Sequence, residues 1–259
     1  MEKREHMKEL KYGDLQVTIL DSNEELGKRA AQDFAIASQN ALKNKSEISI
    51  ILATGNSQLS FVNALYERSD IEWSKISVFH MDEYLGIDDK HPASFFRWMH
   101  ERIELKLKPK ALYGIRGDVP AAEEIARYTD LLQKNKPSIC VMGIGENGHV
   151  AFNDPPADFS TKELIKIVEL DDITCRLQQV NEGHFATLED MPLQALTLTV
   201  RALLDPETVL VLTPESRKAQ AVKDSLEGPL TPTCPASILK TAPNAHLYLD
   251  QDSSALLTL

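Results

Sequence analysis

The strongest constraint on the fold is an alternation along the chain, in which short apolar runs of strand length are each followed by a segment of helical period. Residues 15–20 form the first clear run, and Ser22 with Glu25 three places on makes a capping-box start for a helix. Leu26, Ala30, Phe34, Ala37 and Ala41 then fall on one helical face. Residues 48–52 are continuously apolar, as in a strand buried on both faces, and 59–65 read as the helix after it. Residues 76–79 are the next strand. Pro92 then opens a helix carrying Phe95, Phe96, Met99 and Ile103. Further on, 121–132 and 216–226 read as helices, and 139–142, 165–170, 208–212 and 245–249 as strands. Repeated β-α-β order predicts an α/β chain with a mainly parallel sheet covered by helices on both faces. No Gly/Ser linker, repeat or low-complexity tract divides residues 1–259, so one domain is expected.

Composition narrows the partners. A formal net charge of −11 argues against a phosphate-backbone partner such as DNA or RNA, while leaving room for a small anion held by local donors. Cys140, Cys175 and Cys234 match no zinc spacing, and an odd number argues against a disulfide framework. The charged N-terminus is not expected to be a signal peptide, and no run is apolar enough to span a bilayer. A cytoplasmic protein with no membrane or nucleic-acid partner is expected, and homo-oligomerisation stays open.

In open α/β sheets ligands bind beyond the carboxyl ends of the strands, so the segments after each strand carry the functional question. Ala53-Thr54-Gly55-Asn56-Ser57 joins a strand to a helix; its backbone amides and the Thr54 and Ser57 hydroxyls suit an anion, or simply cap a polar turn. At His80-Met81-Asp82-Glu83-Tyr84 two carboxylates follow a strand. Neighbours on extended chain face opposite ways, so Asp82 and Glu83 are expected to have different tasks. A partly desolvated carboxylate there suits a general base; otherwise it is a loop acid or a helix cap.

The third loop begins Gly143-Ile144-Gly145-Glu146-Asn147-Gly148-His149 and ends at Asn153-Asp154. It contains Gly-x-Gly-x-x-Gly after a strand, with Glu169 and Asp171 about 20 positions on, the outline of a dinucleotide fingerprint. That fingerprint needs a helix at its third glycine, and Pro155-Pro156 forbid one. The other reading is chemical. The glycines, Gly145 among them, let the backbone approach a ligand, and Asn147 and Asp154 flank His149 where either could orient its imidazole for proton exchange. A histidine satisfied by structural hydrogen bonds is the alternative.

Taken together, the three loops resemble the glucosamine-6-phosphate deaminase family, also called glucosamine-6-phosphate isomerase. The matching stretches are Thr54 to Ser57, Met81 to Tyr84, Gly143 to Pro155, and a fourth from Ala195-Leu196-Thr197 to Ser216-Arg217-Lys218-Ala219. The resemblance implies a Rossmann-like fold without a dinucleotide, and a deaminase/isomerase that converts a hexosamine 6-phosphate into the ketose 6-phosphate plus ammonium. It implies no metal and no cofactor. Thr54, Gly55, Asn56 and Ser57 would cradle the phosphate, with Lys218 adding charge. Asp82 would move a proton between C2 and C1, and His149 with its carboxylate partner would open the sugar ring.

Departures from the family pattern are local. Asn56 and Ser57 stand where Gly and Thr are frequent. Asn147 and Asp154 stand where Asp and Glu are usual, and Asp154 is shorter in reach by roughly 1.5 Å. For the family's phosphate-binding arginine, Arg176 is the nearest candidate and Gln178 lies closer to the aligned position. Rival readings are a 6-phosphogluconolactonase-type hydrolase and a galactosamine-6-phosphate isomerase. A sugar-phosphate sensor is a third, but too few residues precede the first strand for a DNA-binding module. Of the family's allosteric cationic cluster only Lys166 has a counterpart. Saturation curves for the hexosamine 6-phosphate are therefore expected to be hyperbolic and unchanged by N-acetylglucosamine 6-phosphate; a sigmoidal curve that this compound straightens would contradict the assignment.

Overall fold

The computed structural model describes residues 7–258. The chain opens with a hairpin of β1 (Lys8–Tyr12) and β2 (Leu15–Leu20), followed by α1 (Asn23–Leu42), whose first turn is capped by the Ser22 hydroxyl accepting from the Glu25 N–H. Next come β3 (Ile48–Leu52), α2 (Leu59–Tyr66), β4 (Ile76–His80) and β5 (Asp82–Tyr84). Helix α3 (Phe95–Met99) runs through a π-helical turn into α4 (Leu105–Leu107), and β6 (Ala111–Tyr113) and α5 (Ala121–Asn135) follow. The second half holds β7 (Ile139–Met142), β8 (Ile165–Glu169), α6 (Ile173–Asn181), β9 (Gln194–Leu198), α7 (Val200–Leu204), β10 (Thr208–Thr213), α8 (Ala219–Glu227) and β11 (Ala245–Asp250).

Eight strands form one sheet in the order β1-β2-β11-β10-β7-β3-β4-β6, parallel throughout except for the β1–β2 hairpin. The mainly parallel α/β architecture expected from the sequence is therefore present. The chain moves outward from β3 to β4 and β6, then returns to lay β7 on the other side of β3. The β3–β7 boundary is thus a topological switch point, where a crevice opens beyond the strand ends.

Period-2 alternation divides each central strand between two cores. Ile51 of β3, Cys140 and Met142 of β7, and Val209 and Val211 of β10 pack with Tyr128 and Leu132 of α5 and Val222 of α8. Ile50 and Leu52, Ile139 and Val141, and Leu210 and Leu212 pack on the opposite face with Phe34 of α1 and Phe61 of α2. Each such buried Ile or Leu contributes roughly 1.5–3 kcal/mol of transfer free energy, which is why these strands read as unbroken apolar runs.

A second, three-stranded antiparallel sheet, β5-β9-β8, was not expected. Residues 165–170 do form a strand, but it belongs here and not to the parallel sheet. Residues 82–84, read as a loop, are also a strand. β5 and β6 were unreadable because a three-residue strand carries no period. Helix α3 starts at Phe95, not at Pro92, because Ser94 accepts from the Arg97 N–H and caps it there.

Helix α1 crosses α2 closely at Gly27, where a Cβ would fall 2.4 Å from the Ser60 carbonyl carbon. Alanine at this position is favoured by helix propensity by about 1 kcal/mol, yet backbone cannot yield as a flexible side chain can. Gly27→Ala is expected to destabilise the protein by about 1–3 kcal/mol in denaturant titration; unchanged or increased stability would show that the crossing can relax.

Candidate active site

Four neighbouring strands, β10, β7, β3 and β4, deliver four consecutive loops to one end of the sheet. The cavity there is lined by Thr54, Gly55 and Ser57 after β3, Asp82 after β4, Gly145 and His149 after β7, and Lys218 after β10. Seven of the residues singled out in the sequence thus meet in one place.

Gly55 has φ +97°, a conformation that a side chain disfavours, and it starts the short 3-10 turn Asn56–Gln58 that leads into α2. The turn leaves the Asn56 side chain exposed and outside the cavity lining, so Asn56 does not join the cradle as expected. Gln58 takes the vacant place inside, donating to the Ser57 hydroxyl at 3.0 Å.

Only Met81 separates β4 from β5, and β5 pairs with β9 in the register Asp82↔Thr197. Asp82 and Glu83 therefore face opposite ways. Glu83 accepts four hydrogen bonds, from the N–H groups of Tyr84, Phe95 and Phe96 and from the Ser94 hydroxyl. It ties β5 to the first turn of α3. Asp82 lines the cavity and accepts no hydrogen bond from any described residue. Burial, and after it the charge of Glu83, push the Asp82 carboxyl up to about 8. Burial also pushes Glu83 up to about 7, against the pull of its four donors. That donor set fits an ionised Glu83.

No helix opens at Gly148. The chain instead turns through His149 to Asp154, with Ala151 at φ +49°. Asn153, almost fully buried, donates from Nδ2 to the Val150 and Leu198 carbonyls, and the Phe152 N–H donates to the Thr197 hydroxyl. The turn is thereby bound to β9, the strand that also pairs with Asp82.

The hydrogen bonds of Asn147 set the state of His149. Asn147 Nδ2 donates to Asp154 Oδ1 at 3.0 Å and to Asp172 Oδ1 at 2.9 Å. Its Oδ1 must therefore be the acceptor facing His149, and it receives the backbone N–H at 3.0 Å and Nδ1 at 2.7 Å. The proton sits on Nδ1, and Nε2 carries the free lone pair. Asp154 Oδ1 lies 3.3 Å from Nδ1. Burial alone would raise the Asp154 carboxyl, but the hydrogen bond and charge of His149, with the bond from Asn147, hold it below its ordinary value. Gly145 is bare because a Cβ there would lie 2.1 Å from His149 Cε1.

His149, Asp154 and Cys175 are the one group among the described residues whose ligand atoms gather closely enough for a metal, within 4.8 Å. Burial first, then Asp154, push the Cys175 thiol far up.

Lys218 is buried and donates to Gln178 Oε1 at 3.0 Å; burial, then Arg217, bring it down to about 8. Arg176 is not in the cavity lining: its guanidinium bonds the Leu188 carbonyl. On α6, Gln178 and Gln179 line the cavity in its place. Gln179, Glu182, His184, Arg217 and Asp172 also belong to the site or its supports and were not expected. The spacing 178, 179, 182 marks one helix face, but α6 itself had not been read as a helix.

Residues 21–248 match the family model described as glucosamine-6-phosphate isomerases/6-phosphogluconolactonase. A glucosamine-6-phosphate deaminase of Exiguobacterium sibiricum is 31% identical over 93% of this chain and 92% of its own. One from Streptococcus pneumoniae is 33% identical over 80% of this chain and 86% of its own. The solved structure of a monomeric glucosamine-6-phosphate deaminase superposes with TM-score 0.83 at 26% identity, covering 93% of this chain and 99% of that one. The Thermotoga maritima 6-phosphogluconolactonase, at 18% identity and TM-score 0.72, covering 90% of this chain and 98% of that one, shows the shared fold.

Gly145→Ala should leave the protein folded but displace the imidazole, lowering kcat/KM about a hundredfold. Near-normal turnover in this variant would mean that the His149 ring does not need its observed seat.

Proposed function

This chain belongs to the family of glucosamine-6-phosphate isomerases and 6-phosphogluconolactonases, and from that premise we propose that it is a glucosamine-6-phosphate deaminase. The observation that carries the reading is one cavity holding an unbonded buried carboxylate, Asp82, and a histidine with its Nε2 lone pair free, His149, beside a hydroxyl- and lysine-lined cradle. A lone feature of this kind would be weak; their convergence on adjacent strand ends matches what an aldose–ketose proton shuttle with ring opening requires.

The roles proposed are those that the family resemblance implies, and the geometry supports them. Thr54, Ser57, the amides after Gly55 and Lys218 hold the 6-phosphate, which fixes the sugar at the mouth of β3 and β7. His149 Nε2 takes the anomeric hydroxyl proton and returns it to the ring oxygen, opening the ring. The imidazolium formed in between is stabilised by Asp154, with Asn147 clamping both. Asp82 removes the C2 proton as the C1 oxygen is protonated, giving an enolamine, and returns the proton to C1, which leaves C2 as an iminium. Water adds to C2 and the C–N bond breaks, giving the C2 ketone and ammonium. Cys140, Cys175 and Cys234 are free thiols, consistent with a reducing cytoplasm, and no described helix is long and apolar enough to cross a membrane.

The test is ammonia release from glucosamine, galactosamine and mannosamine 6-phosphates, with 6-phosphogluconolactone hydrolysis as the control. Glucosamine 6-phosphate is expected to be used best, and Asp82→Asn to lower kcat by about 10³-fold. Absence of ammonia release, or lactone hydrolysis well above its spontaneous rate, would overturn the proposal. The profile of kcat/KM against pH should peak near 8. It rises as Asp82 loses its proton towards about 8 and falls as Lys218, also near about 8, loses its charge. An optimum below pH 6 would contradict a raised Asp82 carboxyl.

A further inference from the structure

Beside the proposed phosphate cradle stands an acid. Glu182, at the end of α6, lines the same cavity as Thr54, Gly55, Ser57 and Lys218, and its side chain is only 7% exposed. Its Oε2 lies 3.5 Å from where a Cβ on Gly55 would sit, directly over the turn that offers its amides to an anion. Oε1 accepts from Arg217 Nη2 at 2.8 Å and from Gln178 Nε2 at 3.2 Å, and Oε2 is 3.6 Å from His184 Nε2.

The local charge count makes this placement consequential. Arg217 is paired with three carboxylates: Glu146 at 2.9 Å, Glu182 at 2.8 Å and Glu215 at 2.6 Å. With Lys218 there are two cations against three anions before any ligand arrives. A phosphate dianion entering that arrangement gains little unless one carboxylate gives up its donors. Of the three, only Glu182 lines the cavity. Although burial would raise it, His184, Arg217 and Lys218 hold its carboxyl down to about 2, so it is an anion throughout the neutral range.

Resting on the reading of this cavity as a phosphate site, we propose that Glu182 is a resident anion of the cradle, one that neutralises the charge beside it and occupies the Gln178 amide in the free protein, and that yields this donor to the incoming phosphate. Glu182 would then set how tightly the enzyme holds phosphate esters. It keeps the two cations neutralised while the site is empty, and it weakens binding of free phosphate, which has no sugar to add contacts. It is an affinity-setting residue and takes no part in proton transfer.

The experiment measures binding of inorganic phosphate to the full chain by calorimetry, independently of turnover. Glu182→Gln, which keeps the shape and removes the charge, should bind phosphate about tenfold tighter, and Glu182→Ala should change in the same direction. Glu182→Asp, which keeps the charge, should stay within about threefold of the parent. The KM for glucosamine 6-phosphate should fall in step with the phosphate Kd in the Gln variant. Phosphate binding that is unchanged or weaker in Glu182→Gln, or an Asp variant that behaves like the Gln variant, would overturn the proposal. So would loss of folding in both neutral variants, since Glu182 would then be a structural residue. If the phosphate results hold while no hexosamine phosphate releases ammonia, the cradle stands and the deaminase reading falls.

Discussion

One strand, β9, holds the two reactive groups in a common frame. It pairs with β5, fixing Asp82 opposite Thr197. The Thr197 hydroxyl then accepts from the Phe152 N–H, and the Leu198 carbonyl accepts from Asn153 Nδ2, so the turn that carries His149 is bound to the same short segment. Asp82 and His149 follow different strands of the large sheet, yet their relative placement is set by hydrogen bonds to two adjacent residues. A displacement of β9 would move both loops, which is why the small sheet, absent from the sequence pattern, is central to the site.

The electrostatics separate two neighbouring acids by their surroundings. Glu83 collects four donors around the start of α3, while Asp82 is left with none. Burial and the adjacent charge raise Asp82, and this has a thermodynamic cost with a defined sign. Its folded-state pKa lies above the unfolded value, so the folded protein binds the extra proton between roughly pH 4 and about 8, and the associated stability is lost as pH rises through that window. A site that keeps a base ready for reaction is thus less stable at the pH where the base is active, a trade common to catalytic centres.

The parts legible in the sequence are those that depend on one strand end. Thr54, Ser57, Asp82 and His149 each follow a recognisable apolar run, so the rule that ligands gather beyond strand carboxyl ends points to them, whereas Lys218 is reached only through the family resemblance. Arg176 and Asn56 were misplaced for a shared reason: residue types alone do not disclose their side-chain directions, which for Asn56 follow a positive φ at Gly55. Asp172 and Glu182 were out of reach because their roles exist only through Asn147 and Arg217, partners 25 and 35 positions away in the chain. Asn147, which seemed a weakened replacement for an acid, instead relays two carboxylates to the imidazole through its amide. That relay requires the folded position of Asp172.

On the proposed mechanism Asp82 carries the proton between C2 and C1. The most direct test is conversion of glucosamine 6-phosphate in deuterium oxide, with the product's C1 hydrogens followed by NMR. The native enzyme should place a single solvent-derived deuterium at C1 to the extent that the Asp82 proton exchanges, and Asp82→Asn should place none on the same timescale. Deuterium appearing at C1 in the Asn variant at the native rate would show that another group moves the proton.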